Sequence, residues 1–271
     1  MSRSLWIVDI IKKSFPGRFL AARVTQIPVV GDLIERTFFK GDDLLYLPKD
    51  HTIQINDPIE NPLNVVLPSQ VVEHFIEKSE YRWIMHTCIC RDSSNCQDYP
   101  IEYGCLFLGE AVLGINPSLG RLATREEALI HARRCREAGL VHLIGRNKLD
   151  TMWLGVGPGT KLLTICNCCP CCCLWKMLPY LSPIISDKVS KMPGVSVTVT
   201  ERCKGCESCS QGICFVNAIR QVDGHAEING DCRGCGRCVE VCPNGAIELN
   251  INETSFIQEA IDRISPLVDL S

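Results

Sequence analysis

The chain has 271 residues, 46% hydrophobic and 22% charged, with a net charge of −3. Such a length holds about two domains, and the balance excludes a disordered chain. The near-neutral charge, with no lysine–arginine stripe, gives no electrostatic footprint for nucleic acid.

Cysteine is the exception, at 19 residues. The apolar stretch LWIVDII at 5–11 is broken by Asp9 and runs into Lys12 and Lys13 without a small-residue cleavage site, so it does not read as a secretory signal. The expected location is therefore a reducing cytoplasm, where disulfides are rare and dense cysteine spacing points to metal or catalysis. No run approaches the roughly 18 apolar residues that read as a membrane span.

In chain order, residues 1–66 hold no cysteine and are punctuated by Pro16-Gly17, Pro28, Gly31, Gly41, Pro48, Pro58 and Pro62, which predicts short helices and irregular connections over a sheet. Leu5, Trp6, Val8, Ile11 and Phe15 share one helical face. That face either packs on the protein's own core or lies on a partner subunit or a membrane surface, peripheral attachment being the alternative location.

Residues 67–192 read as a cysteine-rich α+β domain. Ser69 is a candidate cap for a helix through about Lys78, and Thr124 with Glu127 forms a capping box for a helix to Ala138, ended by Gly139. The segments LVHLIG and TMWLGVGPGTKLLTIC are predicted strands, with GPGT as a turn. Three prolines between Leu174 and Val195 mark a boundary near residue 193. Residues 193–250 form the next domain, and an amphipathic helix, Phe256 to Ile264, is expected to dock back within 251–271. The fold class is α+β.

After the boundary the sequence repeats. ERCKGCESCSQGICFVNAI at 201–219 is echoed 29 residues later by GDCRGCGRCVEVCPNGAI at 230–247, each copy a CxxCxxC loop followed by a fourth cysteine. Zinc is one reading of such spacing and iron–sulfur the other. Residues 195–250 resemble a bacterial-type ferredoxin domain carrying two [4Fe-4S] clusters, in which the fourth cysteine of each run crosses to the other cluster. The resemblance implies Cys203, Cys206, Cys209 and Cys242 for one cluster, and Cys232, Cys235, Cys238 and Cys214 for the second. The first run departs from the family: four residues separate Cys209 from Cys214, and Phe215 stands where the family has proline.

Eleven cysteines remain. Cys135 sits within the Thr124 helix and reads as a packed thiol. HTCICRDSSNCQDYPIEYGC contributes Cys88, Cys90, Cys96 and Cys105; TICNCCPCCC contributes Cys166, Cys168, Cys169, Cys171, Cys172 and Cys173. Within the second, Cys166, Cys169 and Cys172 repeat the CxxCxxC spacing. The expected outcome is one or two further [4Fe-4S] clusters, with Cys173 the candidate spare, and the rival is a single unusual cluster with shared thiols. The vicinal pairs resemble cysteine-rich modules of heterodisulfide reductase catalytic subunits, and residues 80–250 are similar to ferredoxin-containing proteins of strict anaerobes. His86 and His142 are either ligands or ordinary histidines.

No nucleophile, phosphate-loop or dinucleotide motif is present. The expected function is a multi-cluster electron-transfer protein, or a subunit of an anaerobic redox complex, relaying low-potential electrons between redox protein partners. The alternatives are an oxidoreductase whose upstream cluster reduces thiols or disulfides with the ferredoxin domain as its wire, and a cluster scaffold. Lys204, Arg233 and Arg237, with Glu201, Glu207, Asp231 and Glu240, form the expected docking rim.

Overall fold

The computed structural model describes residues 3–55, 67–251 and 255–271. Expectations that fall on 56–66, with Pro58 and Pro62, lie outside them. The protein is α+β. The first strands are β1 (Asp43–Tyr46), β2 (Ile53–Ile55), β3 (Arg82–Met85), β4 (Leu106–Leu108), β5 (Gly120–Leu122) and β6 (Val141–Arg146). They are followed by β7 (Leu163–Cys168), β8 (Val189–Lys191), β9 (Val195–Val199), β10 (Ile219–Val222), β11 (His225–Ile228) and β12 (Ile247–Ile251). Seven of them form a sheet of order β5-β3-β4-β7-β6-β1-β8, antiparallel except for β1 and β8. The C-terminal region contributes an antiparallel β9–β12 pair and the hairpin β10–β11.

The strand pleat divides the sheet into two chemistries. Leu45, Ile144, Ile165 and Leu106 face a core built with helices Ser69–Lys78, Arg125–Glu137 and Phe256–Ile264. Leu44, Tyr46, Leu143 and Cys168 face the opposite way, toward Trp175, Phe215 and the thiols.

Three expectations are corrected. Residues 1–66 supply two strands: β1 lies between β6 and β8 with Leu44, Leu45 and Tyr46 wholly buried, and β2 joins β12 in parallel. Leu44, Leu45 and Tyr46, buried on both faces, form too short a run to carry a period from which to read the strand. TMWLG is helix, not strand: Lys148–Leu154 is capped by Asn147, whose Oδ1 accepts from the Leu149 amide at 3.2 Å, and is ended by left-handed Gly155. Ser69 is the first helical residue and not the cap; its N–H donates to Asp50 Oδ1 at 3.0 Å. The Thr124–Glu127 capping box and left-handed Gly139 are present as expected.

Helix Leu5–Ser14 divides its apolar residues between two tasks. Val8 is buried and Phe15 follows it inward, while Leu5, Trp6 and Ile10 are exposed. No helix among the described residues is long and apolar enough to cross a membrane.

The C-terminal helix docks through Phe256, Ala260, Ile261 and Ile264, and Arg263 grips Asp43 at 2.9 and 2.6 Å. Phe256→Ala should cost about 3–5 kcal/mol through lost burial and a residual cavity. The expected readout is a lower anaerobic thermal midpoint at unchanged iron content.

Candidate metal centres

In the C-terminal repeat, left-handed backbone lets each CxxCxxC segment curl. Gly205 has φ +65°, and a Cβ there would stand 2.3 Å from the Gly224 carbonyl oxygen in the β10–β11 turn, so only glycine fits. Backbone amides point at the sulfurs: Ala226 to Cys203 (3.4 Å), Ala218 to Cys214 (3.3 Å), Gly234 to Cys232 (3.4 Å) and Ala246 to Cys242 (3.2 Å). Such donors favour thiolate over thiol.

The eight thiols fall into two neighbourhoods. Burial pushes Cys209 up, and the fields of Cys242, Cys203 and Cys206 push the same way. Burial likewise raises Cys232, to about 11, and Cys238, each with added repulsion from Cys235 and Cys214. Ionising four crowded thiols together requires a compensating cation. Every cysteine is unpaired, leaving all eight free to ligate. Four-sulfur sets with amide donors and a need for positive charge fit an iron–sulfur cluster.

Upstream, the thiols sort into two further groups. Cys96, Cys169, Cys171 and Cys172 bring their sulfurs within 4.8 Å of one another. The other six, Cys88, Cys90, Cys105, Cys166, Cys168 and Cys173, line a chamber of about 430 Å³, whose wall Cys169 of the first group also touches. The CxxCxxC triplet is thus split. Cys166 lies in β7, where the pleat aims it and Cys168 to one side and Asn167 to the other. Cys105 precedes β4 and meets Cys166 across the strands at 4.0 Å. Cys173, the expected spare, stands in the chamber wall 3.9 Å from the Tyr46 hydroxyl.

The chamber is roofed by Ile7, Ile11 and Phe15, while Asn147, Asp150 and Trp153 form a thiol-free wall. Arg91, wholly buried, donates to the carbonyls of Pro100 (2.8 Å), Asn167 (2.8 Å) and Tyr103, placing a fixed cation beside the thiols. His142 Nδ1 meets Asn167 Oδ1 at 2.8 Å, its Nε2 is buried without a hydrogen-bond partner, and burial lowers its pKa to about 4. His86 is exposed. Cys135 is buried, 3.6 Å from His131 Nε2, as a packed thiol.

Arg237 is the main departure from expectation. It is 4% exposed and absent from any docking rim. Its Nη2 donates to the Cys168 carbonyl, while Nε and Nη1 are buried without a protein acceptor. Phe215, the residue in place of proline, packs on Tyr46 with centroids 4.5 Å apart and lies 6.0 Å from the Arg237 guanidinium carbon. Tyr46 in turn donates to Cys168 Sγ at 3.8 Å. No spacing rule signals this junction; the Phe215 departure was its only trace in the sequence.

Residues 227–248 match the 4Fe-4S binding domain family. No curated protein matches the chain, and no solved structure does. The C-terminal region therefore binds a 4Fe-4S cluster, and the chain is a cysteine-rich iron–sulfur protein.

Gly205→Ala should forfeit roughly 1–3 kcal/mol in backbone strain alone, before its clash, and lower iron and acid-labile sulfide. Gly212→Ala, equally left-handed but with nothing within 4 Å, is expected to bear the strain without the clash and keep more of both.

Proposed function

We propose that the protein relays low-potential electrons from a redox partner, through two [4Fe-4S] clusters in its C-terminal region, to a third centre in the cysteine-lined chamber. The carrying observation is the burial of Arg237 between the loop that bears Cys235 and Cys238 and the end of β7 that bears Cys168. The ligand sets are the crossed ones, Cys203, Cys206 and Cys209 with Cys242, and Cys232, Cys235 and Cys238 with Cys214. Bound there, the clusters supply one-electron transfer.

The chain's own residues give the route a direction. Cys206 is exposed, with Lys204 and Glu207 beside it, and offers a partner access to the first loop. Cys232 and Cys235 pack in the same cluster of side chains as Phe215, Tyr46 and Cys168, at the inner end. Arg237 and Phe215 exclude water from that junction, and the unmatched Nε–H and Nη1–H of Arg237 can donate to cluster sulfur.

A second reading is favoured by the chamber itself. Its volume suits a small molecule, and its thiol-free wall leaves room beside a metal centre. The protein would then be an oxidoreductase acting on thiols or disulfides, with the ferredoxin-like region as its wire. A spectroscopic change at the chamber centre on adding a thiol or disulfide, absent in Cys168→Ser, distinguishes this reading from simple relay.

Two variants test the relay. Cys242→Ala should remove about four irons per chain and abolish the signal of the Cys203–Cys209 loop; loss of only the other cluster would reverse the pairing. Arg237→Gln should keep the iron of both loops yet slow reduction of the chamber centre at least tenfold, about 1.4 kcal/mol in barrier, in stopped-flow mixing with a low-potential donor. Unchanged rates would remove Arg237 from the route.

A further inference from the structure

The four-thiol group differs in scale from the other cysteine sets. Its sulfurs all lie within 4.8 Å of one another, Cys171 standing 3.5 Å from both Cys96 and Cys172. Among the described residues no other cysteine set is so compact, and the two ferredoxin-like quartets are wider. The contrast matches the different spacings that two kinds of centre require. A cubane separates its four thiolates by a body of iron and sulfide, whereas a zinc–sulfur bond of about 2.3 Å in a tetrahedron sets the sulfurs about 3.8 Å apart.

We propose that Cys96, Cys169, Cys171 and Cys172 hold a single divalent ion of the zinc class in a closed tetrahedral site. The donor chemistry agrees, since four thiolates around one centre select zinc or iron. Cys96, Cys169 and Cys172 are at most 8% exposed and Cys171 is half-buried, and four thiolates together fill the coordination of a tetrahedral ion. The Cys172 amide donates to Cys169 Sγ at 3.3 Å, and the amides of Asp98 and Tyr99 donate to the Cys96 sulfur. Such bonds orient thiolates and stabilise their charge before the metal arrives.

The role is structural. The ion staples the turn after β7 to the loop that carries Cys96, and so fixes Cys168 and Cys173, which flank that turn, in the chamber wall. The sequence concealed this because Cys166, Cys169 and Cys172 share the spacing of a cubane loop, although β7 aims Cys166 elsewhere.

The test uses the full chain, purified anaerobically, with zinc, iron and acid-labile sulfide counted separately. The parent should carry one zinc per chain, with X-ray absorption at the zinc edge giving four sulfur neighbours at about 2.3 Å. Cys96→Ser should lose that zinc and keep iron and sulfide, and Cys135→Ser, altering the neighbouring packed thiol, should keep all three. A lone iron lost without sulfide would support the same tetrahedral site with a different ion. Loss of iron and sulfide together in Cys96→Ser, or a parent without any sulfur-coordinated mononuclear ion, would overturn the proposal. If Cys96→Ser does not fold, the absorption measurement on the parent decides alone. Because ferredoxin-type clusters report through sulfide, failure here leaves the relay reading separately testable.

Discussion

The guanidinium of Arg237 is closed off from water, yet it keeps its charge, and the structure around it is arranged to make that burial tolerable. One arm donates to the Cys168 carbonyl, the Phe215 ring covers it, and the thiols of Cys235, Cys168 and Cys173 surround it with potential negative charge. An unpaired buried charge costs several kcal/mol, and removing one partner of a buried pair typically costs about 3–5 kcal/mol. The cysteine loop on one side and the end of β7 on the other are therefore held in one geometry. Any centre bound by either is positioned relative to the other through this side chain.

A second constraint is the pleat. Nineteen thiols in one chain would be interchangeable ligands without a backbone to sort them, and β7 does much of the sorting. Cys166 and Cys168 face the chamber together, and the Asn167 side chain faces away to bond His142 and the Gly104 carbonyl while its backbone carbonyl accepts from the Arg91 guanidinium. Beyond the strand end the chain turns, and Cys169, Cys171 and Cys172 gather on Cys96. Six adjacent thiols thus serve two places because a strand and a turn aim side chains differently.

The N-terminal segment closes this arrangement from outside. Its first helix turns Ile7 and Ile11 onto the chamber and is fastened by Lys12 to Asp92 at 2.6 Å and by Arg3 to the Trp153 carbonyl at 3.2 Å. Farther along, β1 enters the middle of the sheet, and Tyr46 reaches from it to Cys168. A stretch without any cysteine of its own therefore supplies both the roof and part of the wall of a cysteine site.

The sequence alone determined what depends on local spacing. The duplicated CxxCxxC runs, the capping box at Thr124, the left-handed Gly139 and the amphipathic C-terminal helix are each encoded within a few residues, where sterics and hydrogen-bond reach act without help. The α+β class followed from the same local signals. Tertiary structure decided what depends on partners distant in the chain: that β1 is a central strand, that Cys96 joins Cys169, Cys171 and Cys172, that Cys105 meets Cys166, and that Arg237 is buried and not part of a rim. These contacts span 61 and 75 residues for the thiol pairs Cys105–Cys166 and Cys96–Cys171, and 69 for Arg237 with Cys168. At such separations spacing carries no information, because burial and aim are set by which strands pair and which face each side chain is given.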